Sequence, residues 1–237
     1  MSTTKESLIE LIKKYNVVTK SEYSLAHGTR SYYFFDIDKF AYDYEPVNLI
    51  SDRYSEKILE IRARDPRVDR LIFIEKDYGT IGALPFMSSI ILKTRMETTV
   101  VRFRREISIG ETKGASLGNE NHAIIVSDVL TSSEGIGKAK QLSSKYGVTV
   151  QYAVVLYDRT QGGKQILEDT GIEICSILTK DDLVNAEIIK RENPYGKDTQ
   201  FDKEAQIIPP AQKRLKELEK ILGKESVEIL RKLEMKS

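Results

Sequence analysis

An α/β fold, a parallel twisted sheet flanked by helices, follows from three features of the chain. Short apolar runs rich in β-branched residues alternate with amphipathic stretches from about Asp69 to Leu178, the order that builds a parallel sheet through right-handed crossovers. The runs are apolar at successive positions, as strands covered on both faces require. The length of 237 residues suits one sizeable domain with an appendage, and not two equal domains.

The elements can be read in order. Thr3 and Glu6 fit a capping box, and Leu8, Ile9, Leu11 and Ile12 form one apolar face of a first helix. The segment YSLAHGTRSYYFF that follows is polar and aromatic, too irregular for a helix. Val47, Ile50, Tyr54, Ile58 and Ile61 recur at steps of three and four and mark a second helix that stops before Pro66. Strands are expected at Asp69–Glu75, Thr98–Phe103, Ala123–Val126, Val150–Tyr157 and Ile172–Leu178. Pro85 opens a helix between the first two, and Gly147 stops another that runs from Glu134 to Tyr146. The composition changes after about Asn193. Residues 1–193 therefore read as the main domain and 194–237 as a linker and C-terminal helical extension, with stripes of Leu215, Leu218 and Leu222 and of Val227, Leu230 and Leu233.

Bulk properties narrow the function. With 37 Lys and Arg against 36 Asp and Glu, the net charge of +1 makes no electrostatic case for nucleic acid or an acidic membrane surface as a partner. No window approaches the roughly eighteen apolar residues of a membrane span. Cys175 is the one cysteine, has no internal disulfide partner, and reads as a buried structural thiol in a cytoplasmic protein. His27 and His122 are the two histidines, so no metal-ligand cluster is evident. No G-x-G-x-x-G follows the first strand of the parallel set, which disfavours a dinucleotide oxidoreductase.

Chemistry is expected at the carboxyl ends of the strands, where parallel sheets bind ligands. The most informative stretch is HAIIVSDVLTSSEGI, from His122 to Ile136. A run of buried-strand residues ends at Asp128 and gives way to a hydroxyl-rich loop that opens a helix. Backbone N–H groups at that helix start, with the Thr131, Ser132 and Ser133 hydroxyls, can hold a phosphate, and Asp128 can accept hydrogen bonds from two sugar hydroxyls. The same residues also read as an N-cap set. Tyr78-Gly79-Thr80 forms a tight turn whose backbone can approach a diphosphate, or is simply a turn. From Val100 to Gly118 a strand gives way to a long polar stretch with Arg102, Arg104, Arg105 and Lys113, read as a basic loop able to close over a polyanion. In YDRTQGGKQ, Arg159 can pair bidentately with a carboxylate or cap the sheet edge.

Taken together, these segments resemble the orotate phosphoribosyltransferases, over roughly residues 5 to 190. GTRSYYFFDIDKF is similar to the family's Ser-Gly-Arg-x-Ser-Pro-Tyr segment, FRREISIG to its Arg-Lys-Glu-x-Lys loop, LYDRTQGGKQ to its Leu-Asp-Arg-x-x-Gly-Gly segment, and VSDVLTSSEG to the motif that binds phosphoribosyl diphosphate (PRPP). The resemblance implies the type I phosphoribosyltransferase fold with an N-terminal hood. It also implies transfer of the phosphoribosyl group from PRPP to orotate, Mg²⁺ carried by the substrate, and a homodimer. By matching position, Asp128 would hold the ribose; Thr131, Ser132, Ser133 and Gly135 the 5'-phosphate, with Glu134 also in the PRPP-binding set; and Tyr78, Gly79 and Thr80 the diphosphate. Arg104 and Arg105 would serve catalysis at the diphosphate, Arg159 would bind the orotate carboxylate, and Phe34 and Phe35 would line the base pocket.

The chain departs from the pattern at catalytic positions. Arg105 and Ser108 stand where the family has lysines, Ala26 replaces another lysine, and Ser127 replaces the first of two adjacent acids. An arginine is a planar fork where lysine is a compact point charge, so the first exchange is not conservative. Two alternatives to an orotate enzyme therefore stay open: a paralogue acting on another base, and a regulator that binds PRPP or a nucleotide without turnover.

Overall fold

The computed structural model of the chain describes residues 5–24, 30–75, 82–104 and 107–189, of which 21–24, 30–32, 103–104 and 107–111 are described as backbone alone. Tyr78, Gly79, Thr80 and Arg105, with Ala26, His27 and residues 190–237, lie outside them, as does the Thr3 end of the proposed capping box. The first helix, α1, runs Lys5–Lys14 and buries Leu8, Leu11 and Ile12.

The irregular aromatic segment contributes to a two-stranded antiparallel hairpin, β1 (Val18–Ser24) against β2 (Arg30–Phe35), the hood expected from the resemblance. A 3-10 turn at Ile37–Phe40 leads to α2 (Tyr44–Arg64), which buries Ile50, Tyr54, Ile58 and Ile61 at the predicted spacing.

The main sheet has six strands in the order β5-β4-β3-β6-β7-β8. These are β3 (Val68–Glu75), β4 (Glu97–Arg104), β5 (Ile107–Gly114), β6 (His122–Leu130), β7 (Thr149–Asp158) and β8 (Glu173–Thr179). All neighbours pair parallel except β5, which returns antiparallel beside β4. The stretch from 107 to 114, read from its polarity as a loop, is thus an edge strand. An edge strand has one neighbour and much exposed surface, so it needs no apolar run. The sequence also ended β6 too early, at Val126. It continues to Leu130, pairing Val129 with Tyr157 and Leu130 with Asp158.

Helices cover both faces. On one side α1, α2 and α3 (Leu84–Thr94) pack over Leu71, Phe73, Ile124, Val126 and Val154. On the other, α4 (Glu134–Lys145) and α5 (Gly163–Asp169) cover Ile72, Ile74, Ile125, Ala153 and Val155. Each of the larger of these side chains, when fully buried, contributes about 1.5–3 kcal/mol. Pro85 sits in the first turn of α3, where its missing N–H costs nothing. Beyond α4, Gly147 has φ +76, and a Cβ there would fall 1.9 Å from Asn119 Oδ1, so the turn needs glycine twice over. The short helices α5 and α6 (Lys180–Asn185) carry too few periodic residues to be read from sequence; α6 is fixed by a capping box in which Thr179 and Asp182 satisfy each other's backbone. Among the described residues no helix is long and apolar enough to cross a membrane.

Candidate functional site

The carboxyl ends of β3, β4, β6 and β7 converge. Asp128 lies inside β6, two residues short of its end, and is 4 % exposed. Its carboxyl faces Gly82, where a Cβ would lie 3.8 Å from Asp128 Cγ and Oδ2 and 3.8 Å from the Ile74 carbonyl oxygen; Gly82 has φ +62. The connection into α3 therefore returns directly over the aspartate, through a left-handed residue that favours glycine. Beneath it, fully buried Tyr54 of α2 donates its hydroxyl to the Ser127 carbonyl at 2.7 Å. Burial, then the nearby Asp128 charge, pushes the Tyr54 phenol well above its ordinary pKa, so it remains a hydrogen-bond donor at every physiological pH. Ser127, in place of an acid, is buried and donates to Asp128 Oδ1 at 3.4 Å.

Beyond β6, Thr131 and Ser132 are partly exposed and Ser133 is buried. Ser133 precedes α4 and its carbonyl accepts from Gly137 N at 2.8 Å; its own side chain makes no cap hydrogen bond. The N-cap alternative thus lacks its defining bond at Ser133. Ser132 Oγ accepts from Glu134 N at 3.5 Å, and Glu134 pairs with Lys138 at 2.6 Å along the helix. The amides of the first turn of this twelve-residue helix stand at the positive end of its dipole. The loop is backed by Gly163, where a Cβ would meet the Thr131 carbonyl oxygen at 2.8 Å and Ser132 C at 2.9 Å. Glycine there allows the β7–α5 connection to press against the β6–α4 loop, which gives Gly163 a structural purpose.

Arg159 follows β7 and is 3 % exposed. Its guanidinium lies 4.4 Å from the centroid of the Tyr33 ring and its Nη2 donates to the Tyr33 carbonyl at 3.3 Å. The Tyr33 hydroxyl meets that of Tyr157 at 2.9 Å, and Phe35 stacks on Tyr157 at 4.6 Å. Sequence reasoning did not single out Tyr33 or Tyr157; the one signal available was the aromatic content of RSYYFF. Phe34 and Phe35 point to opposite sides of β2. Phe35 is buried in that stack and Phe34 is 36 % exposed, so the two cannot line one wall together. Next to Arg159, Thr160 holds φ +54 and donates its N–H to Asp158 Oδ1 at 2.8 Å. A β-branched residue in that region is strained and is kept there by its surroundings.

At the other flank, Glu75 ends β3 and forms an ion pair with Arg102 of β4, which holds the Glu75 carboxyl below its ordinary range. Arg104 ends β4. No group of three His, Cys, Asp or Glu placed to hold a metal ion occurs among the described residues. Cys175 is half-buried, with Sγ 3.6 Å from Glu173 Oε1, and burial raises its thiol pKa.

No protein-family model matches the chain. It is 24 % identical over 187 residues to the orotate phosphoribosyltransferase of Methanosarcina acetivorans, covering 78 % of this chain and 94 % of that protein. Its structure superposes on that of orotate phosphoribosyltransferase from Aeropyrum pernix with TM-score 0.62 at 24 % identity, covering 75 % of this chain and 96 % of that one. It also superposes on the Mycobacterium tuberculosis orotate phosphoribosyltransferase in complex with PRPP, with TM-score 0.54 at 18 % identity, covering 75 % of this chain and 89 % of that one. With the strand order and the hood hairpin, these likenesses give the chain the type I phosphoribosyltransferase fold and a sequence similar to orotate phosphoribosyltransferases.

Proposed function

We propose that the protein transfers the 5-phosphoribosyl group of PRPP to orotate, giving orotidine monophosphate and diphosphate. The observation that carries this reading is the placement of one buried carboxylate, Asp128, three residues ahead of a hydroxyl loop that opens α4, with the buried cation Arg159 just beyond the end of the neighbouring strand. In this reading Asp128 accepts from the ribose hydroxyls, and Thr131, Ser132 and the first amides of α4 hold the 5'-phosphate. Arg159 serves the base carboxylate, since a guanidinium held away from water favours an anionic partner. A bond forms between the base nitrogen and the anomeric carbon as the bond to diphosphate breaks. Positive charge grows on the ribose ring, where the Asp128 carboxylate opposes it, while Arg104 and Arg105 meet the departing polyanion.

Mg²⁺ would come with the substrate, its diphosphate and ribose oxygens supplying most of the ligands and the buried Asp128 carboxylate standing by as a further oxygen donor. When bound, it neutralises charge on the leaving group. A homodimer and a cytoplasmic location belong to the same reading.

Turnover of purified protein with PRPP, Mg²⁺ and orotate, followed by loss of orotate absorbance, tests it. Wild type should consume orotate, and Asp128→Asn should lose about 10² to 10³ in rate, the cost of removing one preorganised electrostatic contact. No consumption by the wild type with orotate, but consumption with another base, would reassign the substrate. Ser127, which leaves one carboxylate where the family has two, favours a second reading: PRPP binding without turnover. Calorimetric binding in the absence of any consumption would select it.

A further inference from the structure

Extended beyond its last β3–β6 pair, the strand register puts three side chains of adjacent strands in one row at the site. Glu75 pairs in register with Arg102 across β3 and β4, and Phe73 pairs with Val126 across β3 and β6, so continuing two residues brings Asp128 level with Glu75. Phe73 and Val126 belong to the core beneath α2 and α3, and Val100 packs against that core. Strand alternation then puts Glu75 and Arg102 on this same face, and Asp128 reaches it as well, since its charge acts on Tyr54 of α2. The outer two are separated by one strand, about 10 Å at some 4.8 Å per strand. That span suits a ribose held at one end and a diphosphate on its anomeric carbon at the other.

Arg102 is 30 % exposed at its side chain, so an anion arriving at the strand ends can reach it. Lys113 also exerts its charge on Glu75 from β5. Elsewhere in the molecule a buried arginine, Arg70, lies on the opposite face near the other end of β3 and is bound to Glu97 at 2.8 Å, so it offers nothing to this row.

We infer that Arg102 is a diphosphate-binding residue, held in place by Glu75 until the substrate's diphosphate displaces that carboxylate. This rests on the phosphoribosyltransferase reading and adds to it a cation that lies outside the Arg104-Arg105 pair. It supplies positive charge at the strand ends of a chain in which Ser108 stands where a lysine is expected. A guanidinium binds phosphate bidentately, and a partly exposed ion pair is weak enough to exchange. Glu75 thus acts as a competitor for the anion, so the two partners should respond in opposite directions.

The experiment is calorimetric binding of PRPP and of inorganic diphosphate, each with Mg²⁺, to wild type, Arg102→Met, Arg102→Lys and Glu75→Gln, with thermal melting of each to establish folding. Arg102→Met should weaken both ligands about tenfold or more, the loss of a charge-assisted contact. Arg102→Lys should recover part of that loss, and Glu75→Gln should bind as tightly as wild type or more tightly. Equal weakening by Arg102→Met and Glu75→Gln would make the pair structural and overturn the inference. Unchanged binding in a folded Arg102→Met or, should that variant not fold, wild-type affinity in Arg102→Lys with weaker binding in Glu75→Gln, would overturn it as well. These results leave the phosphoribosyltransferase reading intact, whereas wild type that binds neither ligand removes both.

Discussion

Tyr54 shows how a residue far from the sequence motif shapes the site. Periodicity marks it only as one apolar position of α2, yet its hydroxyl holds the Ser127 carbonyl beneath Asp128. Tyr54→Phe keeps the ring packing and leaves that buried carbonyl without its donor. The expected cost is about 1–3 kcal/mol of stability. If the bond also orients Asp128, turnover should fall in Tyr54→Phe but fall no further when the same change is made in Asp128→Asn; denaturant unfolding and a double-mutant cycle on rate check both. Asp128 itself was legible because an acid ahead of a hydroxyl loop at the end of an apolar run is a local pattern. Tyr54, Tyr33 and Gly82 were not, since each acts across space on a residue distant in the chain.

At the level of elements, the junction between the β6–α4 and β7–α5 connections decides whether the hydroxyl loop can be in place. A Cβ on Gly163 would press on backbone atoms of Thr131 and Ser132 at 2.8 and 2.9 Å, and backbone cannot swing aside as a flexible side-chain tip can. Gly163→Ala should therefore displace the loop and weaken PRPP binding by at least tenfold, while overpacking costs about 1–3 kcal/mol. Wild-type affinity in that variant, measured by calorimetry, would show that the loop does not need this contact. The β4–β5 hairpin was the element least visible in the sequence. Its second strand is polar because it lies at the sheet edge, and polarity alone reads as a loop. The C-terminal residues of β6 were lost for a related reason: Asp128 interrupts the apolar pattern although the ladder continues past it.

Across the whole molecule, acid sensitivity should depend on Asp65, at the end of α2. Arg67 pairs with both of its oxygens at 2.8 Å, and the Tyr152 hydroxyl of β7 donates to Oδ2 at 3.3 Å. The Arg67 hydrogen bonds push the Asp65 carboxyl down to about 2. An unfolded aspartate titrates near 3.9. A depressed carboxylate contributes stability in full above that unfolded value and loses it as pH falls toward the folded one. The melting temperature of the wild type should thus drop more steeply between about pH 4 and pH 2 than that of Asp65→Asn. Parallel melting curves over that window would contradict the assignment. Lys5 of α1 pairs with Asp182 of α6 at 3.0 Å, so the first and last described helices also meet.

The sequence by itself determined the alternation of strands and helices, the two-sided burial of the parallel strands, and the place of Asp128 and its hydroxyl loop at their carboxyl ends. Those features are periodic or contiguous, and a local pattern suffices to encode them. Only the tertiary structure decided that Arg102 pairs with Glu75 across β3 and β4, that Arg159 lies over Tyr33, that Gly82 faces Asp128, and that Gly163 is a close-approach position. Strand order and register bring these residues together from distant parts of the chain, and neither quantity is written in any single segment.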